Sequence, residues 1–181
     1  MKKIVKILQK GGIVALPTDT VPGLAVDPEN SSAVARIYSL KKRAENKPLL
    51  YMTDSIPMLE QLVFIPEQFR PLLDKYWPGA LTVIFPLKEK KGTLGARIPA
   101  VPEIRDLIRL YGKPLAVTSA NLSGTTPMQN IQDVKKKFRN KIDFYFDFPV
   151  KNSRTASTIV DISRKKMKIL RQGDIIPAFY S

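Results

Sequence analysis

Hydroxyls and cations, gathered in short clusters far apart along the chain, are the groups from which this sequence could build chemistry. An apolar run over residues 113–117 ends in Thr118, Ser119, Ala120 and Asn121, followed by Ser123 and Gly124. A buried strand that delivers Ser and Asn at its carboxyl end sits where open α/β sheets place ligands, because loops meet there without disturbing the core. Pro17-Thr18-Asp19-Thr20 offers hydroxyls at another strand end, and reads equally as an ST-turn closing a strand.

Cations follow the same scattered plan. Lys41-Lys42-Arg43, with Lys47-Pro48 four residues on, stand at a helix C-terminus. They are either ordinary charges meeting the helix dipole or a phosphate clamp in which Arg supplies fork geometry and Lys a compact charge. Arg97 lies inside the apolar strand of GTLGARIP. A charge there is costly unless it is paired, so Arg97 requires an anion, from an internal acid or from a ligand carboxylate. Ser157 leads into one C-terminal strand and Arg171 closes another.

Composition narrows the reactions available. The 181 residues contain neither His nor Cys, which removes the commonest general base, thiolate chemistry, disulfides and zinc. The carboxylates that remain suit magnesium better. Neither G-x-x-x-x-G-K-[ST] nor G-x-G-x-x-G occurs, so a P-loop or dinucleotide fold has no support. Thirty Lys plus Arg against sixteen Asp plus Glu give a net charge of +14. That field favours polyanions, or simply solvates the surface. It motivates a second hypothesis: a basic module that grips tRNA or double-stranded RNA without turning over ATP.

These side chains need a frame, and the apolar spacing supplies one. Strands are expected over residues 13–16, 48–52, 80–86, 94–98 and 113–117, with further alternation over 157–162 and 167–170. Helices are expected from a Ser31 or Ser32 cap through Val34, Ile37, Tyr38 and Leu40, from Asp54 or Ser55 through Leu59 and Leu62, and over 67–76. Two more run from Pro102 to Tyr111 and over 131–138. Pro78-Gly79 breaks the chain, and a charged loop occupies 88–92. Strands alternating with helices predict a mixed sheet covered by helices, in one α/β domain spanning 1–181. Lys6, Gln9 and Lys10 interrupt the N-terminal apolar positions, so neither a targeting segment nor a membrane span is expected, and a cytoplasmic location is.

Seven motifs in order, PTDTVPGL (17–24), KKRAENKPL (41–49), YWPGALT (76–82), GARIP (95–99), TSANLSG (118–124), STIVD (157–161) and ILRQG (169–173), resemble the YrdC/TsaC family of threonylcarbamoyl-AMP synthases. The resemblance covers nearly the whole chain. It implies a YrdC-like three-layer fold, a twisted mixed sheet flanked by helices. It also implies an ATP-dependent nucleotidyltransferase: L-threonine and bicarbonate give an N-carboxylated threonine, whose carboxylate attacks the α-phosphate of ATP and releases pyrophosphate. The product would feed a downstream threonylcarbamoyl transferase acting on tRNA.

By motif, Thr20, Arg97, Ser119 and Ser157 would hold threonine. Lys41, Arg43, Lys47, Thr93, Asn121 and Arg171 would hold the nucleotide, with Lys41 and Arg43 acting at the transferring phosphate. Magnesium would enter with ATP, with no protein metal site. A carbamate is already an anionic nucleophile, so a pocket of cations and hydroxyls without histidine suits the task. The chain departs from the family at Pro22, where Tyr is frequent, at Met52, where His is frequent, and at Gln129, where a small hydroxyl residue is common. A related carbamoyl-adenylate enzyme using another acceptor is the remaining alternative.

Overall fold

In the computed structural model, which describes residues 1–89 and 91–177, nine strands form one mixed sheet. They are β1 (Val14–Leu16), β2 (Gly23–Val26), β3 (Leu50–Met52), β4 (Leu81–Pro86), β5 (Thr93–Arg97), β6 (Leu115–Ser119), β7 (Phe144–Tyr145), β8 (Thr158–Asp161) and β9 (Lys168–Arg171). Their order across the sheet is β7-β1-β2-β6-β3-β5-β4-β8-β9. The β3–β5, β4–β8 and β1–β7 pairs are parallel, and the others antiparallel. The helices are α1 (Lys2–Gln9), α2 (Ser31–Lys41), α3 (Ile56–Glu60), α4 (Arg70–Tyr76), α5 (Pro102–Tyr111) and α6 (Ile131–Phe138).

Side-chain alternation divides the sheet into two faces. Val14, Leu16, Ala25 and Val117 meet Ile4 and Leu8 of α1 and Ile104, Leu107 and Ile108 of α5. Their neighbours Ile13, Ala15, Leu24, Val26 and Ala116 point the other way, onto Ala33 and Ile37 of α2 and Ile131, Val134 and Phe138 of α6. Helix, sheet and helix therefore make three layers. A third cluster packs Val83, Phe85, Ala96 and Val160 against Leu59 of α3 and Leu72 and Leu73 of α4. The opposite-facing residues of those strands, Thr82, Ile84, Gly95, Arg97 and Ile159, line a cavity instead.

Most expected elements stand, with changes at their ends. The cap of α2 is Asn30, whose side chain accepts from the Ala33 amide at 2.9 Å, rather than Ser31 or Ser32, which lie inside the first turn. An Asn one residue earlier satisfies the same orphan donors. The 67–76 helix opens as a 3-10 turn over Glu67–Phe69 before α4. Pro102 occupies the first turn of α5, and Gly112 ends it at φ 84°, a left-handed conformation that glycine adopts freely. The short helix α1 and strands β2 and β7 join the expected set. Residue 90 of the charged loop and residues 178–181 lie outside the described residues.

Candidate functional site

The cavity, of ≈ 230 Å³, opens over the sheet face left bare by α1 and α5. Register explains which side chains reach it. Ser119 pairs with Gly23, Val117 with Leu50, Met52 with Arg97, and Ile84 with Gly95; all of these residues line the cavity. Of the ten expected ligand-binding residues, Thr20, Arg43, Thr93, Arg97, Ser119, Ser157 and Arg171 do so as well.

Arg97 is 2% exposed. Its guanidinium donates to Asp19 Oδ1 at 2.8 Å and to Thr20 Oγ1 at 3.0 Å. Both alternatives raised by the sequence therefore meet at one residue: Arg97 has an internal acid, yet it also lines the cavity. Burial lowers its proton affinity, and the charge of Asp19 opposes that shift. Its Nε and the Oδ2 of Asp19 are buried without a hydrogen-bond partner. The pair thus leaves one unmet donor and one unmet acceptor, and buried groups in that condition are costly.

The hydroxyls form a linked set. Thr18 Oγ1 and Thr20 Oγ1 are 2.9 Å apart, and Thr18 Oγ1 also donates to the Val21 carbonyl at 2.8 Å. Across the cavity, Thr82 Oγ1 lies 2.7 Å from Ser157 Oγ. Arg171 donates from Nε to the Ser157 carbonyl at 2.9 Å and from Nη2 to its Oγ at 3.2 Å. Arg43 is fixed by backbone acceptors, donating from Nε to the Lys47 carbonyl at 2.9 Å and from Nη2 to the Pro48 carbonyl at 3.0 Å. Three guanidinium groups, of Arg43, Arg97 and Arg171, and several hydroxyls therefore face one space in defined orientations.

Lys41, Asn121 and Lys47 are not among the cavity-lining residues. Lys41 is 1% exposed; its ammonium donates to the Ser119 carbonyl, to the Asn121 carbonyl at 2.6 Å and to Asn121 Oδ1 at 3.2 Å. Asn121 Oδ1 also accepts from Ser119 Oγ at 2.6 Å, and its amide donates to Leu122 and Thr125 carbonyls. These two residues are engaged with each other, pinning the end of α2 to the loop after β6. Burial, with the nearby charge of Arg43, pulls the Lys41 ammonium down to about 8 from the usual 10.5. Lys47 is exposed and contributes its carbonyl to Arg43.

Three residues gain importance that their motifs alone did not reveal. Asp19 is the acid behind Arg97, Thr82 is the partner of Ser157, and Gly95 leaves the cavity floor without a side chain. For Thr82 the available signal was alternation, since it and Ile84 interleave with core residues Val83 and Phe85. Met52, 4% exposed, forms an apolar wall with Leu50 and Val117. Pro22 accepts from the Ala120 amide through its carbonyl at 2.7 Å. Gln129 lines a separate depression beside Pro22. No group of three or more acidic side chains able to hold a metal occurs among the described residues, nor is any of their helices long and apolar enough to cross a membrane.

Comparison with known proteins adds a consistent set of relatives. The Sua5_yciO_yrdC family model, described as "Telomere recombination", matches residues 6–173. A threonylcarbamoyl-AMP synthase of Pseudoalteromonas translucida is 33% identical over 171 residues, covering 88% of this chain and 91% of that protein. The crystal structure of Pyrococcus abyssi Sua5 complexed with L-threonine superposes with a TM-score of 0.89 at 31% identity, covering 95% of this chain and 53% of that one. This chain thus spans about half the length of the Pyrococcus protein. Escherichia coli YciO shares the fold, with a TM-score of 0.86 at 22% identity over 95% of this chain and 88% of its own.

Proposed function

The chain belongs to the Sua5/YciO/YrdC family, and from that premise we propose that it is a threonylcarbamoyl-AMP synthase. The nitrogen of L-threonine adds to bicarbonate with loss of water. The resulting carbamate oxygen attacks the α-phosphorus of ATP, and the bond to the leaving pyrophosphate breaks. The observation that carries this reading is the convergence of Thr20, Arg43, Arg97, Ser119, Ser157 and Arg171 on one cavity, although they are drawn from six distant stretches of sequence.

Each side chain has work within that scheme. Arg97, with Thr20 beside it, takes the amino-acid carboxylate; Ser119 and Ser157 position the remainder of the amino acid. Arg43 and Arg171 meet the phosphates, where fixed guanidinium groups offset the charge that develops during phosphoryl transfer. Neither needs to reorganise as the reaction proceeds, since backbone carbonyls already hold both. Thr93 stands at the rim. Lys41 and Asn121 contribute by holding Ser119 and the loop after β6, and their own polar groups become available only if that network opens. A magnesium ion would enter on the triphosphate and supply charge neutralisation there, with the protein offering no cage of its own.

The product is a mixed anhydride, whose consumption calls for a transferase acting on adenosine of tRNA. A buried Arg97 within a lined cavity favours this small-molecule chemistry over an RNA-binding module without turnover. The apolar wall at Met52 keeps open a related enzyme with another amino-acid acceptor. The test is pyrophosphate release from ATP with threonine and bicarbonate each omitted in turn, coupled to mass measurement of the adenylate. Release that requires both, with a product of threonylcarbamoyl-AMP mass, is expected. Release indifferent to either omission rejects the assignment, and an adenylate of different mass transfers it to another acceptor.

A further inference from the structure

Strand register sets the surroundings of the amino-acid side chain. Arg97 of β5 pairs with Met52 of β3, and Leu50, two residues before Met52, pairs with Val117 of β6. Partners across a sheet point to the same side, as do residues two apart along a strand. Met52 therefore stands beside Arg97, and Leu50 and Val117 continue an apolar surface along the sheet. Val21, the residue after Thr20, completes it; Val21, Met52 and Val117 are 6%, 4% and 2% exposed, and all four residues line the cavity. An amino acid whose carboxylate lies on Arg97 must turn its nitrogen toward Arg43 and Arg171, where the phosphates are. Its α-hydrogen needs no partner, so the side chain is left to this wall.

The hydroxyls around that wall have their protons committed elsewhere. Thr18 Oγ1 donates to the Val21 carbonyl at 2.8 Å and accepts from the Thr20 amide at 3.1 Å. The proton in the 2.9 Å contact between the two hydroxyls consequently comes from Thr20, whose oxygen also accepts from Arg97 at 3.0 Å. Ser119 Oγ donates to Asn121 Oδ1 at 2.6 Å. Thr118 pairs with Leu24, which belongs to the far face of the sheet. Thr93 stands at the rim, and the contact between Thr82 and Ser157 keeps its spare proton beside Arg171, at the phosphate end. A substrate hydroxyl on the wall thus meets acceptors alone, the lone pairs left on Thr20 and Ser119.

We infer that the site also carboxylates and adenylates the β-branched aliphatic amino acids valine and isoleucine, and that Met52 sets this breadth. The inference rests on the synthase reading and names the substrate class of the same cavity. The side chain takes no part in the bonds that change: the valine nitrogen adds to bicarbonate with loss of water, the carbamate oxygen bonds to the α-phosphorus, and the bond to pyrophosphate breaks. A hydrophobic pocket separates an aliphatic side chain from its hydroxyl isostere by only about 100-fold, whereas a site built to hydrogen-bond a substrate hydroxyl rejects the analogue lacking it by about 10⁴ to 10⁵. One hydrogen bond from threonine to Thr20 or Ser119, set against a second methyl of valine on Met52, belongs to the first regime. The unbranched thioether of Met52 also repacks around side chains of different shape.

The test measures pyrophosphate release from ATP and bicarbonate with L-threonine, L-valine or L-isoleucine, identifies each adenylate by mass, and titrates each amino acid into the protein by calorimetry without ATP. A kcat/KM for valine within about 100-fold of that for threonine is expected, and a gap beyond about 10³ overturns the inference. Met52→Gln puts an amide into the wall, and Val21→Thr adds a hydroxyl without changing shape. Each should widen the threonine-to-valine ratio by about tenfold or more while KM for ATP stays within about twofold of the parent. Met52→Leu, which keeps the wall apolar, should leave the ratio near that of the parent. Because the ratio is taken within one preparation, partial unfolding of a variant cancels from it. A ratio unmoved by both polar variants removes Met52 and Val21 from the specificity surface. Absence of any adenylate defeats the synthase reading instead, and the calorimetric ratio of threonine to valine affinity then decides the wall by the same limits.

Discussion

The pair formed by Asp19 and Arg97 concentrates the tension between stability and binding in two side chains. A buried guanidinium deprived of its acid is an uncompensated charge, and loss of one partner from such a pair typically costs about 3–5 kcal/mol. Asp19→Ala should therefore lower unfolding free energy by about that amount in urea titration, and adding Arg97→Met should recover part of the loss. Additive losses would show that the two do not act as a unit. Lys41 offers a second reading of buried charge. Its folded value of about 8 lies below the ordinary 10.5, so between those values the unfolded chain binds the proton and the folded chain does not. Stability should then rise with pH across that window, and fall as pH drops through about 8. Urea unfolding at pH 7 and pH 9, compared with Lys41→Met, isolates the effect. Parallel behaviour of the two proteins would mean that the three oxygen acceptors around the ammonium keep it charged throughout.

At the level of elements, the C-terminal hairpin depends on a close backbone approach. Gly173 follows β9 so closely against the chain before β8 that an added Cβ would stand 2.4 Å from the Ala156 carbonyl oxygen and 2.7 Å from the Thr158 nitrogen. Its amide donates to Thr158 Oγ1 at 2.9 Å. Gly173→Ala must push this segment outward, separating Arg171 from Ser157. The expected result is a KM for ATP raised several-fold, with a loss of stability in the range of about 1–3 kcal/mol common for overpacked sites. An unchanged KM would deny Arg171 its place at the nucleotide. The same hairpin illustrates what the sequence could and could not convey. Alternation over residues 157–162 announced the strand, and ILRQG placed an Arg at the end of its partner. The contact between Thr82 and Ser157, which spans 75 residues, depended on parallel β4–β8 pairing that no local pattern encodes. Helix ends were equally hard to locate: Asn30, Ser31 and Ser32 are all good caps, and only the geometry chooses among them. Strand β7, two residues long, is too short to show any period.

Across the whole molecule, the fold class followed from strands alternating with helices, while the cavity followed from an incompleteness that only assembly reveals. Helices α1 and α5 cover the β1–β2–β6 end of one face, and α3 and α4 cover the opposite face at β4, β5 and β8. Where coverage changes sides, Thr82, Gly95, Arg97 and Ile159 are left facing open space. Arg97 signalled this indirectly, since an unpaired charge in an apolar strand had to meet something. Its actual partner, Asp19, sits 78 residues away and was visible only as part of a tetrapeptide. Lys41 reads from sequence as a phosphate ligand at a helix end beside Arg43; in the fold its ammonium donates to the Ser119 and Asn121 carbonyls, partners that no local pattern announces.

Strand β9, exposed at every residue, is an outermost strand of the sheet, hydrogen-bonded along one side to β8. A rim held by a single ladder peels before the interior melts, and here the peeling strip carries Arg171 away from Ser157. Warming should consequently silence the protein while its centre remains intact, so that thermal inactivation precedes the calorimetric transition instead of coinciding with it.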